Sequence, residues 1–207
     1  MSVVLSIDHI VVSANKLSAG VQYVEDMLGV RMAPGGKHAA MSTHNALLNL
    51  GDAYLEVIAI DPEAPDPPQP RWFDLDNFEG SPRLTNWVAK TEDLNAAIAA
   101  SPEGIGIPTP LTRGDLAWKI AVSAEGTLPF GGAFPGLIDW EGAPHPTTRL
   151  PEAQCRLEFL QVGHPDAVEL HGALSAFVGG LENCVAEAES IGFRAAITTP
   201  AGLKVLS

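Results

Sequence analysis

The chain has 207 residues, of which 25 are Asp or Glu and 12 are Lys or Arg, giving a formal net charge of −13. Nucleic acids and anionic membranes both require a basic footprint, so this balance excludes a broad binding surface for either. With 46% hydrophobic and 18% charged residues, the composition is that of a packed globular protein rather than a disordered chain.

No apolar run reaches the roughly 20 residues of a spanning helix. Even Leu47 to Ile60 is interrupted by Asn49, Asp52 and Glu56. The first residues lack the basic n-region of a secretory signal, and the chain is read as cytoplasmic. Its two cysteines, Cys155 and Cys184, are expected as thiols rather than a disulfide.

In chain order, Val3 to Ser13 reads as a strand, with Leu5, Ile7, His9 and Val11 on one face. Leu17, Val21, Val24 and Leu28 form a helical stripe, and Gly29 follows where a helix-terminating glycine belongs. Gly35 to His38 reads as loop. Thr43 to Leu50 and Ala53 to Ile60 are apolar runs around Gly51-Asp52, a hairpin signal. Residues 61 to 82 then carry six prolines, which cannot continue a ladder or a helix. The Trp72, Phe73, Leu75 and Phe78 of this segment are too apolar for a free tether and are expected to lie against the protein body.

After this crossover the pattern restarts. Asp8-His9-Ile10-Val11-Val12 with Leu17 parallels Thr85-Asn86-Trp87-Val88-Ala89 with Leu94 at a constant offset of 77 residues. Leu116 to Ser123 and Gly136 to Trp140 are expected to close the second unit. A third start lies at Arg156 to Val162, followed by a helix from Pro165 to Val178 and a final hairpin, Phe193 to Thr198 with Leu203 to Leu206. The span Asn183 to Ser190 has helix formers but is read as strand. The organisation is thus a βαβββ module over residues 1–60, a Pro-rich crossover over 61–82, a second module over 83–150 and a C-terminal βα-β unit over 151–207 that covers a sheet.

Ile7-Asp8-His9-Ile10-Val11-Val12, Gly35-Gly36-Lys37-His38 leading to Thr43-His44-Asn45, Tyr54-Leu55-Glu56 and Arg71-Trp72-Phe73 occur in an order that resembles the glyoxalase-like branch of the vicinal oxygen chelate superfamily. Ile138-Asp139-Trp140, His145-Pro146, His164-Pro165-Asp166 and Thr199-Pro200-Ala201-Gly202 extend the likeness over most of the chain. The resemblance implies an α+β fold in which tandem βαβββ modules pair curved sheets into a cup, with the C-terminal segment as a partial or third such unit. It further implies a small organic molecule as ligand or substrate, a homodimer, and lyase, isomerase or dioxygenase chemistry assisted by a divalent metal ion of open identity. A metal-free binding or sequestration protein is the alternative the same fold supports.

Carried onto this chain, the family's metal positions are His9, Glu56, Asn86 and Asp139. Asn86 offers only a neutral carbonyl oxygen, which suits hard cations better than Zn²⁺ or Fe²⁺. A histidine on an apolar strand face is otherwise a hydrogen-bonded core residue. Glu56 is the stronger signal, because an inward carboxylate must be paired, metal-bound or protonated; a salt bridge to Arg31 or Arg113 is the competing explanation. Glu56 and His44 are the candidate proton-transfer groups, and Asn45, Trp72, Phe73 and His145 the candidate substrate contacts. His38 is expected at the surface. No nucleophile elbow or P-loop is present.

Overall fold

A computed structural model describes residues 2–113 and 116–207. The first unit runs β1 (Ser6–Ser13), α1 (Leu17–Leu28), β2 (Ala33–His38), β3 (Thr43–Asn49) and β4 (Tyr54–Ile60). The second runs β5 (Arg83–Lys90), α2 (Leu94–Ala100), β6 (Ile107–Arg113), β7 (Leu116–Val122) and β8 (Gly136–Asp139). Their strands share one eight-stranded sheet of order β2-β3-β4-β1-β5-β8-β7-β6. The order reads the same from either edge: β1 pairs with β4 in parallel as β5 does with β8, and the halves meet at the antiparallel pair of β1 and β5. The sheet curls until its edges, β2 and β6, approach one another. This is the cup of the vicinal oxygen chelate fold.

Local chemistry explains the boundaries. α1 stops at Gly29, which takes φ of 70° and returns its N–H to the Glu25 carbonyl. α2 starts at Asp93, whose carboxylate accepts from the Ala96 N–H. One reading is corrected: Gly35 to His38 is not loop but part of β2, which follows β3 through a register shift between Pro34 and Lys37. The missing Cβ of Gly35 is what lets it do so, since a Cβ there would lie 2.0 Å from Asn45 Oδ1.

The crossover forms a strap over the cup. Its 3-10 helix, Trp72–Asn77, buries Trp72, Phe73 and Leu75. Phe73 and Asp74 take positive φ, at 58° and 54°, a conformation that non-glycine residues hold only when their surroundings impose it. Arg71 supplies part of that constraint, pairing with Asp66 and Asp76, and the Asp74 N–H donates to the Gly126 carbonyl.

The C-terminal unit contains β9 (Arg156–His164), α3 (Ala167–Leu174), β10 (Val185–Glu187), β11 (Gly192–Thr199) and β12 (Gly202–Leu206). Its element order repeats that of the modules but its strand order, β10-β9-β11-β12, does not. α3 is shorter than the helix expected over Pro165 to Val178, and a 3-10 turn, Leu181–Cys184, leads into β10. The unit is fastened to the segment just before β1, where the Leu5 N–H donates to Val178 and the Val178 N–H to Val3. Cys155 and Cys184 are unpaired thiols.

Candidate functional site

The cup encloses a cavity of about 30 Å³, room for roughly two waters. Strand periodicity builds its wall, because alternate residues on each strand face inward: Asn45 and Leu47 on β3, Tyr54 and Glu56 on β4, Trp118 and Ile120 on β7, and Ile138 with Trp140 at the end of β8. His9 on β1 and His38 on β2 complete the wall, and Trp72 and Phe73 reach in from the strap. The two halves differ chemically. The first module supplies His9, His38, Asn45 and Glu56, whereas the described residues of the second supply Trp118, Ile120, Ile138 and Trp140.

His9 Nε2 lies 3.5 Å from Glu56 Oε2, with both side chains buried. Glu56 Oε1 accepts from Asn45 Nδ2, and Asn45 Oδ1 accepts from the Gly36 N–H at 2.8 Å. On its other side, His9 Nδ1 is 2.7 Å from Asp8 Oδ1. Asp8, fully buried, accepts at Oδ2 from Trp140 Nε1 at 2.8 Å and from His145 Nε2 at 3.0 Å. Burial alone would raise the Asp8 pKa; hydrogen bonds from His145 and His9 overcome it and hold the carboxyl well below the usual carboxylate range. Tyr54 stacks on the His9 ring, with centroids 4.5 Å apart. The buried indole N–H of Trp72 has no hydrogen-bond partner among the described residues.

The other sequence candidates lie elsewhere. His44 alternates with the inward Asn45 and lines a surface cleft beside Lys37 and α1. Asp139 likewise alternates with Ile138 and Trp140; it accepts from the Glu141 N–H and lines another surface cleft. Asn86 is buried but donates to the Gly132 carbonyl at 3.3 Å, in a cleft shared with Ile191 and Phe193. His145 sits behind Asp8, outside the cavity lining. His38 is buried rather than exposed, with Nδ1 3.1 Å from Thr43 Oγ1. Arg31 pairs with Glu25 rather than Glu56, and the Arg113 side chain lies outside the described residues.

This placement bears on the metal. Catalytic divalent centres take about three protein ligands, but the cavity presents one imidazole nitrogen and one carboxylate, with an amide nitrogen already turned toward that carboxylate. The second module fills its half with hydrocarbon and indole. Among the described residues, no group of three or more His, Cys, Asp or Glu is placed to hold an ion. The donor set does not fit the metal centre that the fold family implies.

A cup made from two βαβββ modules with an inward His and Glu on the first and fourth strands defines a vicinal oxygen chelate protein. The sequence matches the glyoxalase-like domain over residues 7–178, and the chain belongs to that family. Among solved structures, a hypothetical protein from Staphylococcus aureus is similar with a TM-score of 0.57 and 14% identity, over 84% of this chain and 75% of that one. Methylmalonyl-CoA epimerase from Streptomyces coelicolor, solved with 2-nitronate-propionyl-CoA, gives 0.45 and 15%, over 67% of this chain and 98% of the epimerase. The Mycobacterium tuberculosis epimerase gives 0.42 and 16%, over 69% and 91%. At these identities the likeness is one of fold. No curated protein matches the chain. Among the described residues, no helix is long and apolar enough to cross a membrane.

Proposed function

We propose that the cup is a proton-transfer site for a small, uncharged organic carbonyl compound, operating without a metal ion. The observation that carries this reading is the buried Glu56 carboxylate, 3.5 Å from His9 Nε2, in a cavity whose lining, among the described residues, includes no Lys or Arg. With no fixed cation there, a carboxylate or phosphate ligand would be desolvated against Glu56, whereas the aromatic walls accept a neutral planar molecule. The ligand's carbonyl oxygen takes the proton that His9 Nε2 shares with Glu56 as a hydrogen bond, and the unpartnered Trp72 N–H is a second donor on the same wall. Glu56, oriented by Asn45, then removes the proton from the carbon beside the carbonyl. Returning it to the neighbouring carbon is an isomerisation; expelling a leaving group instead is a lyase reaction.

The test is hydrogen–deuterium exchange in D₂O, followed by proton NMR over a panel of small neutral 1,2-dicarbonyl and α-hydroxycarbonyl compounds. At least one compound should exchange its α-hydrogen, chelator should leave the rate unchanged, and Glu56→Gln should lower it by about 100-fold or more. A rate that persists in Glu56→Gln refutes the role of Glu56, and a rate that chelator abolishes refutes metal independence. The lining of five aromatic side chains, Tyr54, Trp72, Phe73, Trp118 and Trp140, also suits a binding protein; quenching of tryptophan fluorescence by a compound that never exchanges would select that reading.

A further inference from the structure

We propose that Asp8 is the positioning residue of the cup, fixing His9 with its proton on Nδ1 so that Nε2 faces Glu56 and the ligand. The assignment follows from donor and acceptor chemistry alone. An indole N–H can only donate, so Asp8 Oδ2, 2.8 Å from Trp140 Nε1, is an acceptor. His145 Nδ1 lies 2.8 Å from Thr147 Oγ1 and receives the Thr147 backbone N–H at 3.4 Å; with Nδ1 accepting, its proton sits on Nε2 and points at Asp8 Oδ2, 3.0 Å away. A carboxylate taking two donors on one oxygen in a fully buried site is ionised and turns its other oxygen to His9 as an acceptor. His9 Nδ1, at 2.7 Å, must then carry a hydrogen.

The consequence falls on the far nitrogen. If Nε2 were a bare lone pair, it would oppose the Glu56 carboxylate across 3.5 Å, two acceptors facing each other in a buried cavity. One proton is therefore shared between them, and Asp8 dictates where. The arrangement also joins the modules: Asp8 and His9 come from β1, while Trp140 and His145 come from the end of the second module. The apolar half of the cup thus contributes to the polar half from behind.

The tautomer claim stands alone; only its catalytic consequence rests on the proton-transfer reading above. Long-range proton–nitrogen correlation NMR of the full chain labelled with ¹⁵N-histidine, with His9 assigned from a His9→Gln spectrum, should show a protonated, solvent-protected Nδ1 on His9 and a neutral His145 protonated at Nε2. A His9 protonated only on Nε2 overturns the proposal, and this measurement needs no variant of Asp8 to fold. Asp8→Asn, which cannot accept from three donors, should lose the protected His9 resonance and lower kcat for exchange by about 100-fold with KM changed less than about threefold. His145→Gln keeps an N–H donor and should retain the His9 signature. If the tautomer is as proposed but no panel compound exchanges, the reaction fails and the positioning stands. If exchange proceeds equally in Asp8→Asn, the positioning role fails and the reaction stands.

Discussion

Asn45 transmits backbone geometry to the Glu56 carboxylate, and Gly35 sets where Asn45 stands. A Cβ on residue 35 would lie 2.0 Å from Asn45 Oδ1 and 2.6 Å from its backbone oxygen, far inside contact distance, so one strand must move. Gly35→Ala should therefore cost about 1–3 kcal/mol, the range for overpacking or a lost buried hydrogen bond, and should lower Glu56-dependent exchange more than it lowers binding. Urea unfolding with the exchange assay checks both; unchanged exchange would show that Asn45 does not orient Glu56. Residue by residue, period-two alternation makes inward facing legible, as it does for Glu56 between Leu55 and Val57. Asp8 was not legible, because alternation sends it to the face opposite His9. What reunites them is a register shift between Ile7 and His9 where β1 meets β5. Transfer by offset holds in register, since the pairs His9 with Val88 and Val11 with Asn86 exchange under the shift of 77 residues and Asn86 is the positional counterpart of His9; its amide nonetheless donates to the Gly132 carbonyl, away from the cavity lining. A repeat counts residues, but the bulge beside Asp8 and the loop carbonyl that takes the Asn86 amide leave no mark in that count.

At the scale of elements, the strap decides how large a molecule the cup admits. Trp72 and Phe73 enter the cavity only because residues 73 and 74 hold left-handed backbone, and the buried Arg71 guanidinium ties the strap through Asp66 and Asp76. Both carboxylates reach solvent, so the pair is weaker than a fully buried one; Arg71→Ala should cost about 2 kcal/mol and make Trp72 more accessible to acrylamide. Burial tends to raise the Asp76 pKa, but hydrogen bonds from Arg71 more than offset it and hold the value below the ordinary one. A depressed folded value means the stabilisation is complete above about pH 4, the unfolded aspartate value, and is lost as pH falls through the lower folded one. Acrylamide quenching should therefore rise only on acidification below about pH 4, and Arg71→Ala should abolish that rise. Proline spacing made the strap legible as a break in regular structure. Its left-handed turn was not, because Phe carries no signal for positive φ and a single Asp only a weak one.

Across the whole molecule, the C-terminal unit shares the core of the modules rather than standing beside it. One contiguous set of buried apolar residues runs from Leu5, just before β1, through Trp87 and Leu137 to Leu160, Ile197 and Leu206. Backbone hydrogen bonds join residues 3 and 5 to Val178, the Leu157 N–H donates to Leu50, and Tyr23 donates its hydroxyl to the Ser207 carbonyl. Contacts of this density leave no natural boundary at which part of the chain could open alone. The full chain should accordingly unfold in one cooperative transition, with calorimetric and van't Hoff enthalpies in agreement. Removing residues 151–207 would expose the faces of β5 and α1 that this unit covers, and the truncated chain should aggregate or lose its sharp transition. Two separable transitions in the full chain, or a soluble and cooperatively folding truncation, would instead make the third unit an appendage, and the cup would then have to be held by its two modules alone.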